Sequence, residues 1–415
     1  MLMNKLALLG GDPVRRAPFP PHPVLGSEEE AAVLEVLRRG ELSMFIASPG
    51  AHFLGGRKVK EFEQLVAGYH GVRFAVAFNS ATAALHAAVV ATGVQPGEEV
   101  IVPPLTFTST ATCALMHNAV PVFADVEERT ACLDPGAFER RISPLTKAVI
   151  PVHLFGHPAQ MDRILAVARA HRLRVIEDCA QAPGARLDGR LAGTMGDCGI
   201  LSFTQSKHVT TGEGGMLLTE DAAIADGARL IRNHGEAVWE GQTARTYTST
   251  ILGWNYRMTE LEAALGVVQF GRLDAVNRIR IELCDHLTKR LAGIPGLTPP
   301  SVAHGAQQVY YLYALNYDAE AAGLSRGLFV EALRAEGIPC AAGYVRPLYH
   351  SPIYRGQSYH CPVAERLHAE RLVTLQIARP PATTQDMDDV IAAIRKVFEH
   401  REVLASQTAV EASTS

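Results

Sequence analysis

The stretch Gly199-Ile200-Leu201-Ser202-Phe203-Thr204-Gln205-Ser206-Lys207-His208 runs on through Thr210-Thr211-Gly212-Glu213-Gly214-Gly215 into Met216-Leu217-Leu218. An apolar strand ends in a small hydroxyl residue and an aromatic. One lysine follows, then a glycine-rich turn, then a second apolar strand. A lysine just past a strand end, carried on a flexible turn, is either an amine aimed into a cavity or an ordinary solvated loop charge. The segments on either side must decide.

Upstream, the pattern of short apolar strand, turn and helix repeats. Ala75-Val76-Ala77-Phe78 passes through Asn79-Ser80-Ala81-Thr82 into an alanine-rich helix from Ala83 to Thr92. Glu99–Val102 is read as a strand followed by Pro103-Pro104-Leu105-Thr106-Phe107 and a helix through Ala114; Val120–Ala124 is a further strand. Ala148–Val152 and Arg174–Asp178 are strands on either side of a helix from Met161 to His171. Continuous apolar strands alternating with helices predict a largely parallel sheet covered on both faces, an α/β fold. Ligands of such sheets lie beyond the carboxyl ends of the strands. Asn79, Phe107, Asp178 and Ser202 all sit at or just past such ends.

The organisation of the whole chain follows. Residues 1–25 are read as an N-terminal arm, proline-rich in its second half, and residues 26–275 as the large α/β domain. Residues 276–403 are read as a smaller α+β domain and 404–415 as a flexible tail. A helix begins near Ser27, with three glutamates in its first turn, and stops at Gly40. The segment 41–57 reads as a loop and Lys58–Tyr69 as an amphipathic helix.

Composition narrows the function classes. With 415 residues, 47% of them hydrophobic, the chain is long enough for one large and one small core. A net charge of −4 with dispersed Lys and Arg gives no electrostatic footprint for nucleic acid or a membrane surface. Seven cysteines without a C-x-x-C pair suggest neither a disulfide framework nor a zinc knuckle, and a reducing cytoplasm fits them best. No apolar run reaches membrane-spanning length. The histidines lack ligand spacing, so no metal site is expected.

Four features could carry chemistry. Ser80, Ala81 and Thr82 open a helix, where free amides and hydroxyls make a seat for phosphate, or simply a helix cap. Asp178 ends an apolar strand, where a carboxylate needs a cationic partner: a protonated ring nitrogen or a structural arginine. Phe107 could lie against a flat ligand, or be a core phenylalanine. Asn255 and Arg257, in Gly253-Trp254-Asn255-Tyr256-Arg257-Met258, could cap the helix that follows. Together a phosphate seat, an aromatic, a carboxylate and a later lysine meet the requirements of pyridoxal 5′-phosphate. Lys207 would bond the cofactor's aldehyde and later move a proton, while Asp178 keeps the pyridine nitrogen protonated.

Asp178-x-x-Gln181, Ser202-Phe203-x-x-x-Lys207, Gly212-Glu213-Gly214-Gly215, Arg232-Asn233-His234-Gly235 and Gly253-x-Asn255-x-Arg257-Met258 resemble the DegT/DnrJ/StrS family of fold-type I sugar aminotransferases. The resemblance runs from about Leu8 to Phe398. It implies a large domain with a mostly parallel seven-stranded sheet and a smaller C-terminal domain. It also implies a homodimer with shared active sites, and transfer of an amino group from glutamate or glutamine to a nucleotide-linked keto sugar or a keto-cyclitol.

Position by position, the resemblance makes Lys207 the Schiff-base lysine, Asp178 the partner of the pyridine nitrogen, Gln181 the neighbour of the ring hydroxyl and Phe107 the stacking aromatic. Ala81, Thr82 and Ser202 match the phosphate seat, which Asn255 completes from the other subunit. Tyr344, Arg346, Tyr349 and His350 fall in the substrate-facing stretch. Ala81 stands where the family has Gly, which backbone amides tolerate if Ala81 needs no positive φ. The loop from Ser43 to Gly56 is longer than the family's short form. Two other readings compete: a dehydratase of the same fold, in whose 3-dehydratase relatives histidine replaces the lysine, and a cofactor-binding regulatory protein without turnover.

Overall fold

The computed structural model describes residues 5–45, 50, 52–238, 242–244, 246–355 and 358–406. Its centre is a seven-stranded sheet. The strands β1 (Phe74–Phe78), β2 (Glu99–Val102), β3 (Val120–Phe123), β4 (Thr146–Val149) and β5 (Arg174–Asp178) precede a short hairpin, β6 (Arg186–Leu187) and β7 (Arg190–Leu191). β8 (Cys198–Ser202) and β9 (Gly215–Thr219) complete the sheet, whose order is β1-β9-β8-β5-β4-β2-β3. β9 alone runs against its neighbours. The apolar runs become strands because both faces are covered: β8 and β9 are buried at every residue. Helix α1 (Ser27–Arg39) comes first in the chain; one core cluster packs α3 (Ala81–Ala91) and helix Met161–His171 on the sheet, and another packs α2 (Arg57–His70) and helix Glu260–Phe270.

A four-stranded antiparallel sheet lies further along the chain. β10 (Leu297–Thr298), β12 (Tyr313–Tyr317), β13 (Ala341–Ala342) and β14 (Leu372–Leu375) run in the order β10-β12-β14-β13, while β11 (Ala306–Gln307) joins the β6–β7 hairpin. Its core gathers Leu283, Leu287 and Leu291 of helix Leu273–Leu291 with Phe329, Val390 and Ile394.

The chain departs from the expected divisions in three places. The arm is packed: Leu6 is buried in the core of the four-stranded sheet, and the amides of Ala7 and Val14 donate to the two carboxylate oxygens of Glu336 at 2.8 and 2.9 Å. At the other end residues 401–406 are helical and Leu404 is buried in the same core, so the packed chain runs past 403. Leu348, Tyr349, Tyr354, Cys361 and Leu367, read as part of the small domain, pack into the core of the large sheet. Residues 1–4 of the arm, 407–415 of the tail, and 46–49 and 51 of the long loop lie outside the described residues.

The seven cysteines are unpaired, and no helix among the described residues is long and apolar enough to cross a membrane.

Candidate active site

The carboxyl ends of β1, β5 and β8 open on one cavity of about 300 Å³. Ser80, Ala81, Thr82, Phe107, Asp178, Gln181, Ser202 and Lys207 line it, with Thr110, Ser206, Glu213, Tyr311 and Tyr344. Larger surface clefts lie elsewhere; among the described residues this cavity brings a buried amine together with a buried carboxylate.

The floor is set by strand alternation. In β5, Glu177 and Asp178 point to opposite faces. Glu177 is fully buried. It accepts from the amides of Gly193 (2.8 Å), Met195 (2.6 Å) and Gly196 (2.6 Å) and from His153 Nε2 (3.0 Å). Burial raises its pKa, but the His153 contact and these amides outweigh that and hold the carboxyl below its usual range. Cys179 also approaches this pair. Its thiol is pushed up by burial and by the two acids, so the trio reads as a structural brace. Asp178 turns toward the cavity: Thr110 Oγ1 donates to its Oδ2 at 2.8 Å and the Ala180 amide to its Oδ1 at 3.1 Å.

Gln181 is held from both ends. Its Oε1 accepts from the Phe155 amide at 3.0 Å and its Nε2 donates to the Tyr344 hydroxyl at 3.0 Å. Phe107 is 58% exposed at the edge of the cavity, so it is no core residue.

The opposite wall is the start of α3. Ser80 caps it, its Oγ accepting from the Ala83 amide at 3.1 Å, and the first helical bond runs from the Ala84 amide to the Ser80 carbonyl. The amides of Ala81 and Thr82 therefore precede every intrahelical partner, as an anion seat requires. Ala81 is helical and absent from the positive-φ residues, so an alanine serves where the family has glycine. Glycine is needed instead at Gly215. This residue pairs with Phe78 on one side and Ser202 on the other, and a Cβ there would fall 2.5 Å from the Ala81 nitrogen and the Ser80 carbonyl. That close approach brings Ser202 alongside the open amides.

Lys207 follows β8 on a turn tied down locally. Its amide donates to the Thr204 carbonyl at 3.0 Å, and the Thr211 amide donates to the Phe203 carbonyl at 2.9 Å; Gly212, with a φ of +86°, then turns the chain toward β9. The Nζ lies 4.2 Å from the centre of the Tyr311 ring. Burial lowers its pKa from the usual lysine value; Tyr311 and Asp178 oppose that without cancelling it. A lysine so placed is nearer its nucleophilic, neutral form than one in water.

The expected substrate-facing stretch divides. Tyr344 lines the cavity. Arg346, Tyr349 and His350 do not. Arg346 and His350 are exposed elsewhere, and the single 3-10 turn Leu348–His350 turns Tyr349 into the core against Phe123, its hydroxyl 2.5 Å from Glu365 Oε1. Asn255 is also outside the cavity of its own chain: it is exposed, and its carbonyl accepts from Asn79 Nδ2 at 3.5 Å. The reading of the sequence missed Thr110, Tyr311 and His22. His22 reaches from the arm to place its Nε2 2.9 Å from the Lys207 carbonyl. No local pattern marks any of the three.

A mostly parallel sheet with a lysine, a carboxylate and an open helix start at its carboxyl edge defines a group-transfer enzyme of the fold-type I class. The chain belongs to the DegT/DnrJ/EryC1/StrS aminotransferase family, which matches residues 34–395, and it is an aminotransferase. It is 38% identical over 348 residues to the GDP-perosamine synthase of Caulobacter vibrioides, covering 83% of this chain and 91% of that one. It is 36% identical over 423 residues to the L-glutamine:2-deoxy-scyllo-inosose aminotransferase of Streptoalloteichus tenebrarius, covering 95% and 98%. The crystal structure of an aminotransferase from Psychrobacter cryohalolentis superposes with a TM-score of 0.85 at 29% identity, covering 93% of this chain and all of that one.

Proposed function

We propose that this aminotransferase holds pyridoxal 5′-phosphate in the cavity between α3 and Lys207 and moves an amino group from glutamate or glutamine to a nucleotide-linked keto sugar or a keto-cyclitol. The observation that carries the reading is one cavity presenting a buried amine, a buried carboxylate and two open helix amides. The residues fit the group: a phosphate suits the amides of Ala81 and Thr82 beside Ser202, a cationic ring nitrogen suits Asp178, and an aldehyde suits Lys207. The relatives named for a GDP sugar and for an inosose bracket the acceptor class.

Bound there, the cofactor supplies an aldehyde that exchanges amines and a ring that withdraws electrons. The chain's own residues do the rest. Asp178, fixed by Thr110 and the Ala180 amide, keeps negative charge facing the ring nitrogen. Gln181, anchored by Phe155 and Tyr344, presents its amide edge to the ring hydroxyl. Phe107 covers one face of the ring. Lys207 would hold the cofactor's aldehyde and, as a free amine, would carry the proton between the donor carbon and the cofactor and, in the reverse sense, between the cofactor and the acceptor carbon. Tyr311 beneath the Nζ favours the protonated form at the moment the lysine is released.

A homodimer completes the proposal. Leu252, 75% exposed, lies three residues from Asn255, and a second copy would cover it while Asn255 reaches the partner's phosphate seat. The enzyme would work in the cytoplasm.

Purified protein should show a visible absorbance band that bleaches on adding glutamate or glutamine and returns with a keto sugar or keto-cyclitol of the right class. Absence of any band with cofactor in excess would sink the assignment. A second expected result concerns the seat. Gly215→Ala should lower cofactor affinity at least about tenfold and stability by about 1–3 kcal/mol, because an added methyl forces α3 off β9. Spectral titration and thermal unfolding check it; unchanged cofactor affinity would mean the close approach is not what forms the seat.

A further inference from the structure

Behind Tyr311 the structure gathers positive charge, with no acid beside it among the described residues. Arg280 is fully buried. Its Nη1 donates to the Tyr310 carbonyl at 3.1 Å, while its Nε and Nη2 have no hydrogen-bond partner among the described residues. Arg379, half-buried, takes part in no ion pair among the described residues. His22 lies between them and the lysine loop, its Nε2 2.9 Å from the Lys207 carbonyl and its Nδ1 3.4 Å from the Pro380 carbonyl. A cleft of about 720 Å³ lined by His22, Tyr311, Tyr344, Gln376 and Arg379 adjoins the active-site cavity, with which it shares Tyr311 and Tyr344.

Burial and the field of Arg379 pull Arg280 down to about 9, so it stays charged at neutral pH. His22 is lowered by burial, against its carbonyl contacts, and by both arginines. Among the described residues no Asp or Glu acts on either arginine; Tyr311 and Cys284 favour the charge of Arg280, and Tyr311 that of Arg379. Guanidinium groups withdrawn from water without a counter-charge are unfavourable unless an anion arrives.

We propose that the cleft lined by His22, Tyr311, Gln376 and Arg379 seats a carboxylate of the amino-acid donor, with Arg379 as its direct partner and Arg280 supplying charge from behind. The inference rests on the aminotransferase reading above and names where its donor is recognised. The guanidinium fork matches a carboxylate in two parallel hydrogen bonds. Position favours the donor over the acceptor. The cluster is built on the Lys207 carbonyl and on Tyr311, whose ring is 4.2 Å from Nζ. A donor's α-carboxylate is one carbon from the nitrogen that is transferred, whereas the phosphates of a nucleotide sugar lie a whole sugar ring away.

The test uses holoenzyme and two probes that do not react: glutarate, a dicarboxylate lacking the amine, and UDP. Arg379→Gln should weaken glutarate binding by at least tenfold in calorimetry and raise the KM for glutamate by a similar factor. The saturated rate of the donor half-reaction should stay within threefold, with UDP affinity and the visible cofactor band unchanged. Arg379→Lys, which keeps the charge and loses the fork, should fall between. No glutarate binding by the wild type, equal binding by wild type and variant, or a loss of UDP affinity instead would each overturn the proposal. Failure of the underlying reading looks different: the wild-type protein then shows no visible band at all.

Discussion

Lys207→Ala should lose activity on the order of 10⁴-fold, the upper end of what a positioned proton carrier contributes, because the same amine is also the covalent anchor. The fold should survive. The Nζ makes no ion pair among the described residues, its ring contact with Tyr311 is a single cation–π pair, and burial already disfavours its charge. Thermal unfolding of the variant is therefore expected within a few degrees of wild type. The phosphate seat, Asp178 and Gln181 remain, so cofactor should still bind, now released by gel filtration in denaturant where the wild type after borohydride reduction retains it. Lys207→Arg sharpens the reading. It keeps a cation against Tyr311 but offers no neutral amine, and should be as inactive as the alanine variant. Turnover by either within tenfold of wild type would remove Lys207 from the chemistry.

How much of this was legible in the sequence depends on how far apart the interacting residues lie. β5 and β8 announce themselves through apolar centres, Val175-Ile176 and Ile200-Leu201, and their last residues, Asp178 and Ser202, face the cavity because period-2 alternation and strand polarity put them there. Ser80, Ala81 and Thr82 were legible for a similar local reason, as a cap between strand and helix. The partners that tune these groups were not. Thr110 meets Asp178 across 68 positions and His22 meets Lys207 across 185. Pairings of that kind come from the sheet order and from the path of the arm along the core of the four-stranded sheet, which no local period encodes. Nearness in sequence also misleads. Tyr344 and Tyr349 are five residues apart, yet one 3-10 turn leaves the first on the cavity and buries the second against Phe123. Leu404 was read as tail because the residues around it are small and polar, but a single leucine packed under helix Thr384–Glu399 is enough to hold residues 401–406.

Asp178→Asn is the second large effect, and it separates the charge of the side chain from its shape. The replacement is isosteric, and the local hydrogen bonds can be kept. The asparagine oxygen can accept from the Ala180 amide, and its NH₂ can donate to Thr110 Oγ1. That hydroxyl then turns toward Thr106 Oγ1, 3.0 Å away. What disappears is the negative charge facing the ring nitrogen, which matters most as charge develops on the reacting carbon. The expected loss in kcat is about 10²–10³-fold, the scale for removing one preorganised electrostatic group, with KM for the amino donor little changed. The lysine supplies an independent readout. Asp178 is among the groups that raise the Lys207 pKa against burial, so without it the free Lys207 amine of cofactor-free protein should titrate at lower pH, read from the pH dependence of its reaction with an amine-selective reagent. Glu177→Gln offers the contrast. It removes a charge one residue away on the opposite face, where three amides and His153 use it, so it should lower the unfolding temperature while leaving the titration of the free Lys207 amine in place. A variant at Asp178 that kept kcat within threefold and left the titration unmoved would show that the carboxylate is, like Glu177, part of the frame.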